Sequence, residues 1–174
     1  MTREDLSRFL EDLARNELLF PILDLRGNVL KTFCNLAAKR KLPGENFKEF
    51  DAPNLMADDM GRIMRDNKSG LWRTMSGAEA ALWAINGRRA MGFMSCAQMS
   101  EDHAHIVWIY PKEMNLSGSL KKLVPWCANI GKGNPSEPLR SISFKESTRP
   151  NWICKTSQAF PVATGEALYY GFTG

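Results

Sequence analysis

Helical spacing fills the N-terminal half of this chain, and short β-branched or aromatic runs fill the half that follows. Segregated periods of this kind predict an α+β fold, with helices packed on a small antiparallel sheet rather than alternating with its strands. Thr2 with Asp5 forms a capping-box pattern, and Leu6, Phe9, Leu10 and Leu13 then share one helical face. A turn signal at Arg26-Gly27-Asn28 releases the chain toward a second helix, Phe33 to Lys41, which Pro43-Gly44 stops. Residues 53–66, opened by Pro53-Asn54, predict a third helix whose apolar stripe is Met56, Met60, Ile63 and Met64, read as core. A second capping box, Ser76 with Glu79, starts a helix that runs through Ala84 and closes at Asn86-Gly87. Strands are predicted at Met91–Met94, at Ile106–Tyr110 before Pro111, and at Leu123–Ile130, with one or two more between 140 and 174.

Composition narrows the class. The 174 residues amount to one domain, since domains run to about 100–150 residues, so residues 1–174 are expected to form a single unit. Hydrophobic residues at 44% against charged residues at 24% exclude a disordered chain. A net charge of +4 is too mild for a nucleic-acid partner to be expected. The N-terminus alternates charge with apolar residues and lacks the pattern of a secretory signal, and no run approaches the ~18–20 apolar residues of a bilayer span. The expectation is a product made in the cytoplasm, without membrane insertion, that reaches any target beyond the membrane by release or injection. Cys34, Cys96, Cys127 and Cys154 show no CxxC and no histidine-paired spacing, so no metal is expected, and nothing implies an organic cofactor.

Cys34 is the most informative residue for chemistry, because it stands where a loop enters a helix, a setting that favours the thiolate. The chain has two histidines, His103 and His105, and both precede the run IVWIY. An imidazole with an ordinary pKa of about 6.5 can pair with a thiolate and later protonate a leaving amine. His105, at the head of the predicted strand, is the better placed. A base of this kind is oriented by a third polar group; Asn129 is the candidate, with Asn115, Ser119 and Asn134 as alternatives. The other three cysteines read as core or strand filler, and Trp72, Trp83, Trp108, Trp126 and Trp152 as core rather than substrate surface. Lys39-Arg40-Lys41, Arg88-Arg89 and Lys121-Lys122 read as solvated basic faces that an anionic polymer would attract.

A cysteine on a helix followed by a histidine on a strand is the order found in papain-like amidases and peptidases. Leu23-Asp24-Leu25-Arg26-Gly27-Asn28 with Thr32-Phe33-Cys34-Asn35 resembles the nucleophile motif of bacterial and phage CHAP-type and NlpC-type domains. Leu55-Met56-Ala57-Asp58-Asp59-Met60 resembles their second helix, and Ala78-Glu79-Ala80 with Ala84-Ile85-Asn86-Gly87 resembles the helix and turn before their first strand. His105-Ile106-Val107-Trp108-Ile109-Tyr110-Pro111 resembles their histidine strand, and Asn129-Ile130-Gly131 the strand after it. The likeness runs in order through residues 20–135 and departs in the loop from Lys112 to Lys122.

This resemblance implies a papain-like fold and a cysteine hydrolase that cleaves amide bonds in the peptide part of bacterial peptidoglycan. Cys34 would be the nucleophile, His105 the base and acid, and Asn129 the ring-orienting residue, with the Cys34 backbone N–H as one oxyanion donor. The expected partners are the peptidoglycan peptide and, for an injected effector, an immunity protein; a phage lysin is the other setting. Two alternatives stand beside this reading: a same-fold cysteine enzyme acting on a protein amide, and a catalytically silent binding or virion structural domain.

Overall fold

The computed structural model describes residues 1–17, 26, 33–53, 55–98, 101–112, 115–117, 122–128, 139–140 and 168–174. Helix α1 spans Arg3–Glu17 and opens on the expected box, in which Thr2 N donates to Asp5 Oδ2 and Asp5 N to Thr2 Oγ1, both at 3.1 Å. The hydrogen bonds that Thr2 donates to Asp5 Oδ2, from its backbone N–H and then from its hydroxyl, hold the Asp5 carboxyl below its ordinary range. Leu6, Leu10 and Leu13 are buried, as their spacing requires. Helix α2 spans Phe33–Lys39 and ends two residues before the expected Lys41, where Arg40 N bonds back to Ala37 O and tightens the last turn.

Helix α3 spans Ala57–Asp66, not 53–66. Its start is set by Asp59, whose carboxylate accepts from Met56 N at 3.1 Å and so satisfies a donor that the helix leaves open. Met56 is consequently exposed outside the helix, and the methionine stripe reduces to buried Met60 and Met64 with Ile63 beside them. Helix α4 spans Gly77–Ile85 behind a reciprocal box, Ser76 N to Glu79 Oε2 at 2.8 Å and Glu79 N to Ser76 Oγ at 3.1 Å. Gly87 then takes a φ of +72°, where a side chain would also run into Met1 O.

Eight strands are described: β1 (Trp72–Met75), β2 (Ala90–Gln98), β3 (Glu101–Ile109), β4 (Asn115–Ser117), β5 (Lys122–Val124), β6 (Cys127–Ala128), β7 (Leu139–Arg140) and β8 (Leu168–Phe172). Six form one sheet in the order β1-β8-β2-β3-β6-β7, with every described pairing antiparallel, while β4 and β5 pair separately. The architecture is thus α+β. Three features differ from expectation. Strand β1 was not legible because its four residues carry two exposed positions and no sustained alternation. The single strand expected over 123–130 is broken into β5 and β6 at Pro125-Trp126, where proline lacks the N–H a ladder needs. The β2–β3 hairpin continues to Gln98↔Glu101, so both histidines lie inside β3 and His105 does not begin it.

Alternation along the strands assigns the two faces of the sheet. On one face, Phe50 stacks on Trp72 at 5.3 Å, and Phe47 and Phe172 close the cluster. Phe93 lies against Gly61 of α3, and Trp108 Nε1 donates to Ala37 O of α2 at 2.7 Å. The opposite face is covered by α4: a Cβ on Gly171 would strike Met75 and Trp83, and Trp83 Nε1 donates to Phe172 O at 3.3 Å. The sheet therefore lies between α2 and α3 on one side and α4 on the other. No described helix is long and apolar enough to cross a membrane.

The basic pairs do not all face solvent. Arg88 is exposed and stacks on Trp83 at 3.6 Å, but Arg89 is 1% exposed and ion-paired with Glu45 at 2.9 Å. Burial lowers its guanidinium pKa to about 10, still cationic at neutral pH. Lys39, at the end of α2, is turned to the backbone, with Nζ donating to Ala52 O and Pro53 O at 2.6 and 3.1 Å. Trp72 and Trp108 are core, as expected, whereas Trp152 and Cys154 lie outside the described residues.

Candidate active site

Cys34 is the second residue of α2, half-buried against the core and not in a disulfide. The next residue, Asn35, is buried and anchors the helix start, its Nδ2 donating to Leu55 O at 2.8 Å while its Oδ1 is buried without a partner among the described residues. The other end of α2 meets the sheet. Ala37 O accepts from Trp108 of β3, and Ala38 O accepts from Arg89 Nη1 at 3.0 Å, just ahead of β2. The two partner groups are themselves stacked, the Arg89 guanidinium lying over the Trp108 ring at 3.8 Å.

His105 is 4% exposed. The register Met91↔Trp108, Gly92↔Val107, Phe93↔Ile106 and Met94↔His105 is unbroken. Without a bulge, alternation puts His105, Val107 and Ile109 on the face opposite Trp108. The fold therefore seats the cysteine helix on the histidine strand while placing His105 on the α4 face of the sheet and the Cys34 helix on the other. On the β2 side His105 is paired with Met94; on its other side the β3–β6 ladder covers only Trp108↔Ala128 and Ile109↔Cys127 among the described residues.

Asn129, the expected third residue, lies outside the described residues, as do Ser119 and Asn134. Asn115 belongs to β4, in the separate two-stranded sheet, and so does not stand on the sheet that carries His105. Cys127 is buried opposite Ile109 on the His105 face, but four residues of strand, roughly 13 Å, separate that level from His105. Tyr169 shares this face through Tyr169↔Gly92↔Val107, and burial together with neighbouring Cys127 raises its phenol pKa strongly, keeping it neutral. Sequence reasoning missed Tyr169, for which the alternation in Leu168–Phe172 was the available signal, and it placed Asn35 in the Thr32-Phe33-Cys34-Asn35 motif without the anchoring bond to Leu55 O.

Three described cavities lie elsewhere: about 290 Å³ beside Arg62, Asp66 and Glu49, about 450 Å³ beside Phe9 and Arg8, and about 250 Å³ beside Arg88 and Gly174. Neither Cys34 nor His105 lines any of the three. Among the described residues, no group of three His, Cys, Asp or Glu side chains is arranged to hold a metal ion. Neither the protein-family models nor the curated proteins contain a match to this chain.

Proposed function

We propose that the chain is a cysteine-dependent hydrolase of papain-like fold that cleaves amide bonds in the peptide part of bacterial peptidoglycan. The observation that carries this reading is the seating of the Cys34 helix on the His105 strand through the Trp108–Ala37 hydrogen bond. In the proposed reaction the Cys34 thiolate attacks the carbonyl carbon, and the C–N bond breaks as the His105 imidazolium gives its proton to the leaving nitrogen. Neutral His105 then takes a proton from water, whose oxygen attacks the thioester; the acid product leaves and the Cys34–His105 pair is restored. In this proposal His105 serves as base and acid for Cys34, and Asn129 is the group that orients its ring. In such a setting the enzyme reaches the wall by release or injection, and an injected form would be held in check by an immunity partner.

The facing of His105 supports a second reading, a catalytically silent binding or virion structural domain that retains the helix-on-sheet arrangement. Digestion of purified peptidoglycan by the reduced protein, Cys34→Ala and His105→Ala, with mass spectrometry of soluble fragments and of Cys34 alkylation, separates the possibilities. The hydrolase predicts fragments from the wild type and a loss of about 10³-fold or more in each variant. Full activity in either folded variant would overturn the assignment. Selective alkylation of Cys34 without fragments redirects the enzyme to a protein amide, and an inert Cys34 without fragments establishes the silent domain.

A further inference from the structure

Helix α2 has seven residues, about two turns, which is too short to hold its shape without tertiary support. Its C-terminal carbonyls are also left without helical partners. Arg89 supplies much of what is missing. Its Nη1 donates to Ala38 O at 3.0 Å and to Met91 Sδ at 3.8 Å, Nη2 donates to Arg40 O and to Glu45 Oε2 at 2.9 Å, and Nε donates to both Glu45 oxygens at 3.0 Å. Every N–H of the guanidinium fork is thereby engaged. The plane is held from its faces as well, by the Trp108 ring at 3.8 Å and the Phe47 ring at 4.8 Å.

The surroundings leave Arg89 little room to move. Its own carbonyl accepts from Phe172 N at 3.0 Å, which ties it to β8, and Glu45 Oε2 also accepts from Leu42 N at 2.8 Å, which fixes the turn after α2. At the far end of the helix, Asn35 Nδ2 donates to Leu55 O at 2.8 Å. Cys34 lies one turn from Ala38, about 6 Å along the axis, so a shift in the clamped end carries the sulfur with it.

We infer that Arg89 is the positioning residue of the Cys34 site, clamping the C-terminal end of α2 to the sheet and so setting where the thiol stands relative to β3. The inference rests on the hydrolase reading for its effect on turnover, and on geometry alone for its effect on Cys34. A lysine keeps the charge of Arg89 but lacks the fork that binds Ala38, Arg40 and Glu45 together.

The test compares the wild type with Arg89→Lys and with Glu45→Gln, an isosteric change that removes the carboxylate orienting the fork. The pH profile of Cys34 alkylation by iodoacetamide is read at that peptide by mass spectrometry, alongside peptidoglycan hydrolysis, with circular dichroism and backbone exchange in β2 and β3 reporting the fold. In either folded variant the alkylation rate of Cys34 should change by about 10-fold with its pH midpoint displaced, and kcat should fall about 10- to 100-fold with little change in KM. A folded variant whose Cys34 profile and turnover both match the wild type overturns the clamp. A wild type without hydrolytic activity whose Cys34 profile still moves in the variants overturns the hydrolase reading and leaves the clamp standing. Should Arg89→Lys fail to fold, Glu45→Gln alone decides by the same criteria, and should both fail, the positioning role is overturned in favour of a role in folding.

Discussion

Trp108 Nε1 and Ala37 O, 2.7 Å apart, join the central strand β3 to the last turn of α2 across 71 residues of chain. The indole is packed as tightly as it is bonded, with the Phe9 ring meeting it edge-on at 5.5 Å and the Arg89 guanidinium at 3.8 Å. This one side chain connects α1, α2 and the sheet, so its polar and apolar contributions can be separated by substitution.

Trp108→Phe retains an aromatic ring and removes the donor, leaving Ala37 O to find another partner. The expected loss is about 1–3 kcal/mol, the range for a buried carbonyl deprived of its hydrogen bond. Urea unfolding should show a lower midpoint with an unchanged slope. An unchanged midpoint would mean that the carbonyl is satisfied without Trp108.

Gly61 is required by packing, since its φ needs no glycine. A Cβ there would stand 2.5 Å from the Phe93 ring. Gly61→Ala should destabilise by about 1–3 kcal/mol through overpacking. Adding Phe93→Leu should recover part of that loss, giving a favourable coupling in a double-mutant cycle; strict additivity would show that the two sites do not meet.

Glu79 is exposed, and the hydrogen bond from the Ser76 backbone is the main cause holding its carboxyl below the ordinary value of 4.5. A depressed folded pKa means that its stabilisation is complete above 4.5 and is lost as the pH falls through the lower folded value. Glu79→Gln should therefore lower Tm at neutral pH, and the difference from wild type should close in acid below that window. A difference that stays constant into acid would rule out the charged cap as its source.

Phe172 is 4% exposed on β8, with ring centroids 4.8 Å from Phe47 and 5.2 Å from Trp72. Phe172→Ala should cost about 3–5 kcal/mol, the range for emptying a core aromatic site. Chemical denaturation measures it directly, and a loss below about 1 kcal/mol would show that β8 contributes little to the core.

Local signals were legible wherever neighbours in the chain settle the structure. Thr2 with Asp5 and Ser76 with Glu79 form reciprocal caps as their spacing predicts, and Leu6, Leu10 and Leu13 bury the face that their periodicity marks. Met56 was misread because a stripe at helical spacing does not reveal which residue the helix begins after; Asp59 decides that. Arg89 was misread because its partners, Ala38, Arg40 and Glu45, are more than forty residues away and no local pattern distinguishes it from Arg88.

The candidate site divides along the same line. Chain order already paired a helical cysteine with a strand-borne histidine, and α2 does rest on β3. What the tertiary structure decided is the side of the sheet each residue faces and the strand that completes it. A strand shifted by one residue reverses every facing, so His105 could be assigned to the α4 face only from its pairing with Met94 and the unbroken register to Trp108. Strand β8, the last in sequence, lies between β1 and β2 in the sheet. Caps and periodicity are set by covalent neighbours and can be read from sequence, whereas register, facing and strand order are set by hydrogen bonds between distant segments, which exist only once the chain has folded.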